Sequence, residues 1–279
     1  MKDSVKESKH SAGIHDAGTR AGISGIPAFN DNYLWLVRQG TLAAVVDPGD
    51  AAPVMAALQQ QRVQLRAILL THHHKDHVGG VLELVERTGA TVFGPASEKL
   101  PHCDRRLSQG DRVTLPELDL DLEVLDVPGH TAGHIAYAGR AGGVEPLVFC
   151  GDTLFASGCG RLFEGTPRQM HESLAKLAAL PDETRVYCAH EYTLSNLAWA
   201  RAVEPDNAAL REWHEQAGQM RDRDQPTVPT TLGLERQVNP FLRTAHPQVA
   251  AAAAAHAGKP LADEVEVFAA LREWKNHFR

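Results

Sequence analysis

The 279 residues carry a net charge of −7, with 43% apolar and 23% charged side chains. A chain of that length and composition can bury the core of an ordinary globular protein. The acidic balance, with no concentrated basic run, gives no footing for nucleic acid or an anionic membrane, so an anionic small substrate needs a local basic pocket.

Residues 1–20 mix Lys, Ser, His, Asp and Gly without an apolar stretch, and read as a disordered tail rather than a signal peptide or membrane anchor. Strands are predicted over 33–37 and 42–46, the second closing on the turn Asp47-Pro48-Gly49, and a helix over 51–61. A buried strand over 65–70 hands directly to Thr71-His72-His73-His74-Lys75-Asp76-His77, with a helix over 78–87 after it. The alternating stretch 119–127 leads to Pro128-Gly129-His130-Thr131. Strands over 135–138 and 147–150 follow, the latter reaching Gly151-Asp152-Thr153. A helix over 167–180 opens with proline in its first turn, and a strand over 185–188 ends at Ala189-His190-Glu191-Tyr192. Beyond that point 194–203, 208–220, 247–257 and 262–278 all favour helix, the alanine run 250–255 included, and no strand pattern recurs. The change in character divides the chain into an α/β domain over 21–194 and a smaller helical domain over 195–279.

Seven metal-binding side chains thus gather at strand ends. His72 and His74, two apart at the exit of a strand, point the same way while His73 points elsewhere; His73 and Lys75 read as exposed or supporting residues. Asp76 and His77 follow at once, and His130, Asp152 and His190 arrive later. Taken singly, these last three are a turn histidine, a loop carboxylate and a buried core histidine; the first cluster outweighs those readings. His134 stays outside the ligand set, as a residue that orients a neighbour. Imidazole nitrogens and carboxylate oxygens suit zinc, manganese or iron. Seven donors are too many for one tetrahedral ion and about right for two ions sharing a carboxylate, which describes a binuclear metallohydrolase. No G-x-S-x-G elbow competes for the role of nucleophile. Cys103, Cys150, Cys159 and Cys188 form no CxxC pair and read as reduced thiols of a cytoplasmic protein.

The Thr-His-x-His-x-Asp-His cluster, the later His, Asp and His, and Asp47 after an early strand resemble the metallo-β-lactamase superfamily. More narrowly, four segments are similar to glyoxalase II, the hydroxyacylglutathione hydrolases: Ile26-Pro27-Ala28-Phe29-Asn30-Asp31-Asn32-Tyr33, Gly158-Cys159-Gly160-Arg161-Leu162-Phe163-Glu164-Gly165-Thr166, His190-Glu191-Tyr192-Thr193 and Asn239-Pro240-Phe241-Leu242-Arg243. The similarity runs over about 26–278. The metal motif specifies only the superfamily; the loop and the helical extension specify the family.

That resemblance implies an α/β fold, a four-layer αβ/βα metallo-β-lactamase sandwich with metals at one edge and a C-terminal helical domain that binds glutathione. It implies His72, His74 and His130 on one metal, Asp76, His77 and His190 on the other, and Asp152 bridging them. Asp76 and Asp152 are then the catalytic carboxylates, and Asp47 orients a ligand from behind. Substrate contacts are implied for Arg161, Phe163 and Tyr192 near the metals. Arg272 and Lys275, three apart on the last helix, would clamp the glycine carboxylate of glutathione; on residue type alone those two bases are a solvated face. Family members often have Lys where Arg161 stands and Tyr where Phe163 stands, so contact geometry changes and one substrate hydrogen bond is lost. The implied activity is hydrolysis of S-(R)-lactoylglutathione to glutathione and D-lactate by a monomer holding two divalent ions, zinc first, then iron or manganese. Within the superfamily the rivals are a mono-iron persulfide dioxygenase, against which the long helical extension argues, and lactonases or β-lactamases, which give no reason for the glutathione-like loop. A non-catalytic glutathione- or metal-binding regulator is the rival from another class, and the complete ligand set speaks against it.

Overall fold

The structure, a computed structural model, describes residues 21–278; the tail expected over 1–20 lies outside the described residues. Strands β1 (Ala21–Ala28), β2 (Asn32–Gln39), β3 (Leu42–Val46), β4 (Gln64–Leu69), β5 (Thr91–Pro95) and β6 (Arg105–Leu107) form one sheet in that order, antiparallel through β3 and parallel from β3 to β6. Its side chains sort by the twofold period of a strand. Trp35, Val37, Ala44 and Val46 join the core shared with the second sheet. Leu34, Leu36, Ala43 and Val45 join the core under the outer helices. A bulge at Arg66 resets β4, so Ala67 and Leu69 take the first side and Ile68 and Leu70 the second. Helices α1 (Ala51–Gln61), α2 (Lys75–Val78) and α3 (Val81–Thr88) follow β3 and β4. Val54, Leu58, Val81 and Leu84 seal the outer core, each stabilising the fold by roughly 1.5–3 kcal/mol.

The second sheet takes β7 (Arg112–Leu115), β8 (Leu120–Asp126), β9 (Ile135–Ala141) and β10 (Val144–Gly151). After a small hairpin of β11 (Leu154–Phe155) and β12 (Gly158–Cys159), β13 (Arg185–Cys188) and β14 (Thr230–Thr231) complete the order β14-β13-β10-β9-β8-β7. Helix α4 (Pro167–Ala178) starts at a capping box in which Thr166 and Gln169 satisfy each other's backbone donors. The expected helix–sheet–sheet–helix sandwich with a C-terminal helical region is therefore present.

The expected helix over 78–87 is divided. It begins earlier, at Lys75, and breaks at Gly79-Gly80. A Cβ at Gly79 would sit 2.5 Å from the Gly49 carbonyl oxygen, and one at Gly80 2.5 Å from Ala51 N. The glycines let the ligand loop close on the Asp47–Gly49 turn, and α2 itself carries Asp76 and His77. A second correction lies in the helical region, where no strand was expected. There β14 pairs antiparallel with β13, Thr230 opposite Val186 and Thr231 opposite Arg185. A two-residue strand leaves no periodic signal.

Helices α5 (Thr193–Val203), α6 (Ala208–Arg221), α7 (Leu232–Val238), α8 (Pro247–Ala257) and α9 (Glu264–His277) complete the chain. Trp199 stacks on Phe241 at 4.7 Å, and Phe241 meets Phe268, so α5 and α9 share one aromatic core. Fully buried Glu235 accepts from Ser157 N (2.7 Å) and Asn239 Nδ2 (3.1 Å), which ties α7 to the β11–β12 hairpin; burial pushes its carboxyl up to about 7. Among the described residues no helix is long and apolar enough to cross a membrane.

Candidate metal centre

All seven expected donors converge in one cleft where β4, β10 and β13 end beside the loop after β8. His74 Nδ1 lies 3.1 Å from His72 Nε2 and 3.0 Å from His130 Nε2. Asp76 Oδ2 lies 3.5 Å from both His77 Nε2 and His190 Nε2. Between these triads stands Asp152. Its Oδ2 is 3.3 Å from His130 Nε2, while its Oδ1 is 3.5 Å from His77 Nε2 and 3.3 Å from His190 Nε2. One oxygen thus faces each triad. Ligand atoms about 2.0–2.1 Å from a tetrahedral ion stand about 3.4 Å from one another, so these spacings fit two ions. His77 Nε2 and Asp152 Oδ1 are buried with no hydrogen-bond partner, an expensive state that a cation relieves.

The ligand rings are held from behind. Asp47 accepts from Thr71 N (2.8 Å) at Oδ1, and from Thr71 Oγ1 (2.7 Å) and His77 Nδ1 (3.1 Å) at Oδ2. Thr71 Oγ1 then accepts from His72 Nδ1 at 3.0 Å, so the hydrogen bonds that start at Asp47 reach one ring of each triad. Asp47, His72 and His77 therefore lie close enough together to resemble a ligand set, a closeness that these hydrogen bonds account for. Asp47 has a φ of 50°, a conformation Asp tolerates better than most residues, at the turn out of β3. His190 Nδ1 donates to Asp31 Oδ1 (2.7 Å), and His130 Nδ1 donates to the Arg161 carbonyl (2.9 Å). Asn32 Nδ2 donates to Asp76 Oδ2 at 3.1 Å. His134, kept outside the ligand set, stacks on His72 and accepts from Asp152 N at 3.1 Å. Gly151, at φ 48°, permits that approach, since a Cβ would fall 2.4 Å from Thr71 Oγ1.

Electrostatics divides the triads. Burial pulls His72 well below the usual imidazole range and lowers His74 and His130, leaving neutral rings suited to ligation. Burial alone would also lower His77, yet the Asp152, Asp47 and Asp76 carboxylates push it well above that range; Asp152 and Asp31 likewise outweigh burial at His190 and raise it. Asp152, despite full burial, is held well below the usual carboxylate range by His77 and His190. The site is built to attract positive charge.

A cavity of about 800 Å³ runs from His74, Asp76, His130, Asp152 and His190 to the expected substrate residues Arg161, Phe163, Tyr192, Arg272 and Lys275. Tyr192 stacks on His190 with ring centroids 4.7 Å apart. Phe163 is exposed at the mouth and meets His74 and His130 edge-on. Arg272 is buried, and its Nη1 donates to the Cys159 carbonyl at 2.8 Å, so it braces the loop before Arg161 as well as lining the cavity. Lys275 Nζ donates to the Ser195 carbonyl at 2.8 Å. Reading the sequence missed Asp31, Asn32, Glu98 and Glu164 near the centre. Asp31 and Asn32 lie in a segment whose resemblance is noted above but whose residues carry no ligand spacing.

Residues 29–190 match the family model of the metallo-beta-lactamase superfamily, and residues 191–278 that of the hydroxyacylglutathione hydrolase C-terminus. A hydroxyacylglutathione hydrolase of Nitrosomonas europaea is 52% identical over 254 residues, covering 91% of this chain and 95% of that protein. One of Pseudomonas aeruginosa is 58% identical over 259 residues, covering 92% and 99%. The crystal structure of TTHA1623 in a di-iron-bound form superimposes with a TM-score of 0.55 at 28% identity, covering 79% of this chain and 100% of that one.

Proposed function

Because the chain belongs to the hydroxyacylglutathione hydrolases of the metallo-β-lactamase superfamily, we propose that it cleaves S-(R)-lactoylglutathione, and 2-hydroxyacylglutathione thioesters more broadly, to glutathione and D-lactate. The observation that carries this reading is the continuity of the seven-donor cleft with a cavity edged by Arg161 and Lys275. In a chain of net charge −7, that wall is the local basic surface an anionic glutathione conjugate needs.

His72, His74 and His130 would hold one divalent ion, Asp76, His77 and His190 the other, with Asp152 shared between them. Zinc is the first choice, iron or manganese the next, and the di-iron form of a structural relative supports two ions in this fold. Bound there, such ions lower the pKa of water to about 7 and polarise a carbonyl. The protein's own groups do the rest. Asp152 sets the separation of the triads, while Asp47 and Asp31 fix the rings of His77 and His190. Tyr192 and Phe163 wall the reacting position and limit its exposure to bulk water. Arg161 and Lys275 orient the substrate through its carboxylates, and Arg272 braces the loop that carries Arg161. A glutathione thiolate, with a pKa of about 8.5, leaves with little protonation, so no side-chain acid is required. A cytoplasmic monomer is the accompanying reading, supported for the compartment by four unpaired thiols.

Metal analysis and a lactoylglutathione assay on one sample test this directly. About two ions per chain and turnover that needs no oxygen are expected. A metal-replete protein that leaves glutathione thioesters intact overturns the assignment; one iron with oxygen uptake replaces it with the persulfide dioxygenase.

A further inference from the structure

His73 projects away from the metal ligands on either side of it, and what it meets is not solvent alone. Its Nδ1 donates to Glu98 Oε2, and its Nε2 faces Glu164 Oε1 at 3.5 Å. Glu98 is 5% exposed, and its other oxygen accepts from Thr131 Oγ1 (2.6 Å) and Gly133 N (3.0 Å). The second oxygen of Glu164 accepts from Ala132 N at 2.8 Å. Both carboxylates therefore grip the 131–133 segment, immediately after the ligand His130. Glu164 also belongs to the loop that holds Arg161 and Phe163. That loop is stitched to the His130 turn by Phe163 N to His130 O (3.2 Å) and Gly165 N to Gly129 O (3.1 Å).

His73, Glu98 and Glu164 could be taken for a third metal site. The hydrogen bonds argue otherwise. Every oxygen of the buried Glu98 carboxylate is engaged by a donor, and a backbone N–H occupies Glu164 Oε2. A buried carboxylate satisfied by three donors from two loops is a structural joint.

We propose that His73, Glu98 and Glu164 are positioning residues, a clamp that sets His130 against His72 and His74 on one side and the Arg161–Phe163 loop on the other. The two carboxylates divide the work. Glu98, buried and bonded to both ligand loops, holds the first triad together. Glu164, at the surface end, holds the substrate loop. For its kinetic arm the proposal rests on the thioesterase reading; its metal arm does not.

The test follows the loss of metal from the holoprotein to a chelator, alongside KM and kcat for lactoylglutathione. Glu98→Ala is expected to release one of its two ions at least about tenfold faster than the wild type. Glu98→Gln, which keeps an acceptor for Thr131 and Gly133 but not for His73, should release it about threefold faster at an unchanged melting temperature. Glu164→Ala should keep both ions and a kcat within about twofold, while KM rises about three- to fivefold. Release at the wild-type rate in Glu98→Ala overturns the clamp even if that variant melts lower; where it fails to fold, the same result in Glu98→Gln does so. An unchanged KM in Glu164→Ala overturns the substrate-loop arm. Chelator release needs no substrate. A wild type inert towards thioesters therefore removes the proposed function while the metal arm is still decided.

Discussion

The two triads of the centre, three imidazoles in one and two imidazoles with a carboxylate in the other, are also supported by different chemistry. Neutral oxygens brace the first triad, the Thr71 hydroxyl behind His72 and the Arg161 carbonyl behind His130. Carboxylates brace the second, Asp47 behind His77 and Asp31 behind His190, and Asp76 adds a third as a donor. A carboxylate behind an imidazole raises its basicity and fixes its tautomer. The second triad should therefore hold its ion more tightly, and the first should give up its ion earlier on chelation. Burial lowers His72, His74 and His130, whereas carboxylates overcome burial at His77 and His190, which is the same asymmetry seen in proton affinity.

Removing the group that belongs to both triads should erase the contrast. Asp152→Ala is expected to cost on the order of 10³-fold or more in kcat/KM, with neither ion retained in place. Near-normal turnover in that variant would mean that the triads work independently. Next in size is Asp47→Ala. Because Asp47 reaches His77 directly and His72 through Thr71, metal affinity should fall roughly 10–100-fold at both positions. A loss confined to one ion would show that the Thr71 relay carries no weight. Asp31→Ala sharpens the comparison from the other side. It should weaken only the second ion, by about tenfold, with first-ion release unchanged in a two-phase chelation trace.

The metal centre and the opposite cavity wall also differ in how far they can be read from sequence. Four of the seven donors fall within six residues of one loop, so a local pattern exposes them. The other three follow apolar strand runs that the twofold period reveals. Asp31 has no such signal: it is a turn residue 159 positions from the histidine it orients, and only the return of β13 beside β2 brings the two together. Glu98 has no sequence signal and Glu164 stands out only as part of the 158–166 segment; their roles come from packing around His73. Two strands fared likewise. β1 carries glycines and a proline with little burial, and β14 has two residues. Arg272 and Lys275 share a helix face by spacing, but their division of labour, one buried on the Cys159 carbonyl and one reaching Ser195, is a tertiary result.

Lys275 gives the smallest effect and the cleanest separation of substrate wall from metal centre. Burial first, then the charges of Arg272 and Arg161, lower its ammonium to about 8. A lowered lysine is charged below that pH and neutral above it, so its attraction for a substrate carboxylate fades as pH rises through about 8. Its amine is partly exposed, and solvent screening limits the interaction to about 1 kcal/mol, or roughly fivefold in affinity. Wild-type KM should thus rise up to about fivefold between pH 7 and 9 while kcat follows its own profile. In Lys275→Met the KM should already be high at pH 7 and stay level over that range. Subtracting the two profiles removes every titration that belongs to the metal ligands, because both proteins share them. Parallel KM profiles in the two proteins would show that Lys275 serves only to tie α9 to the start of α5.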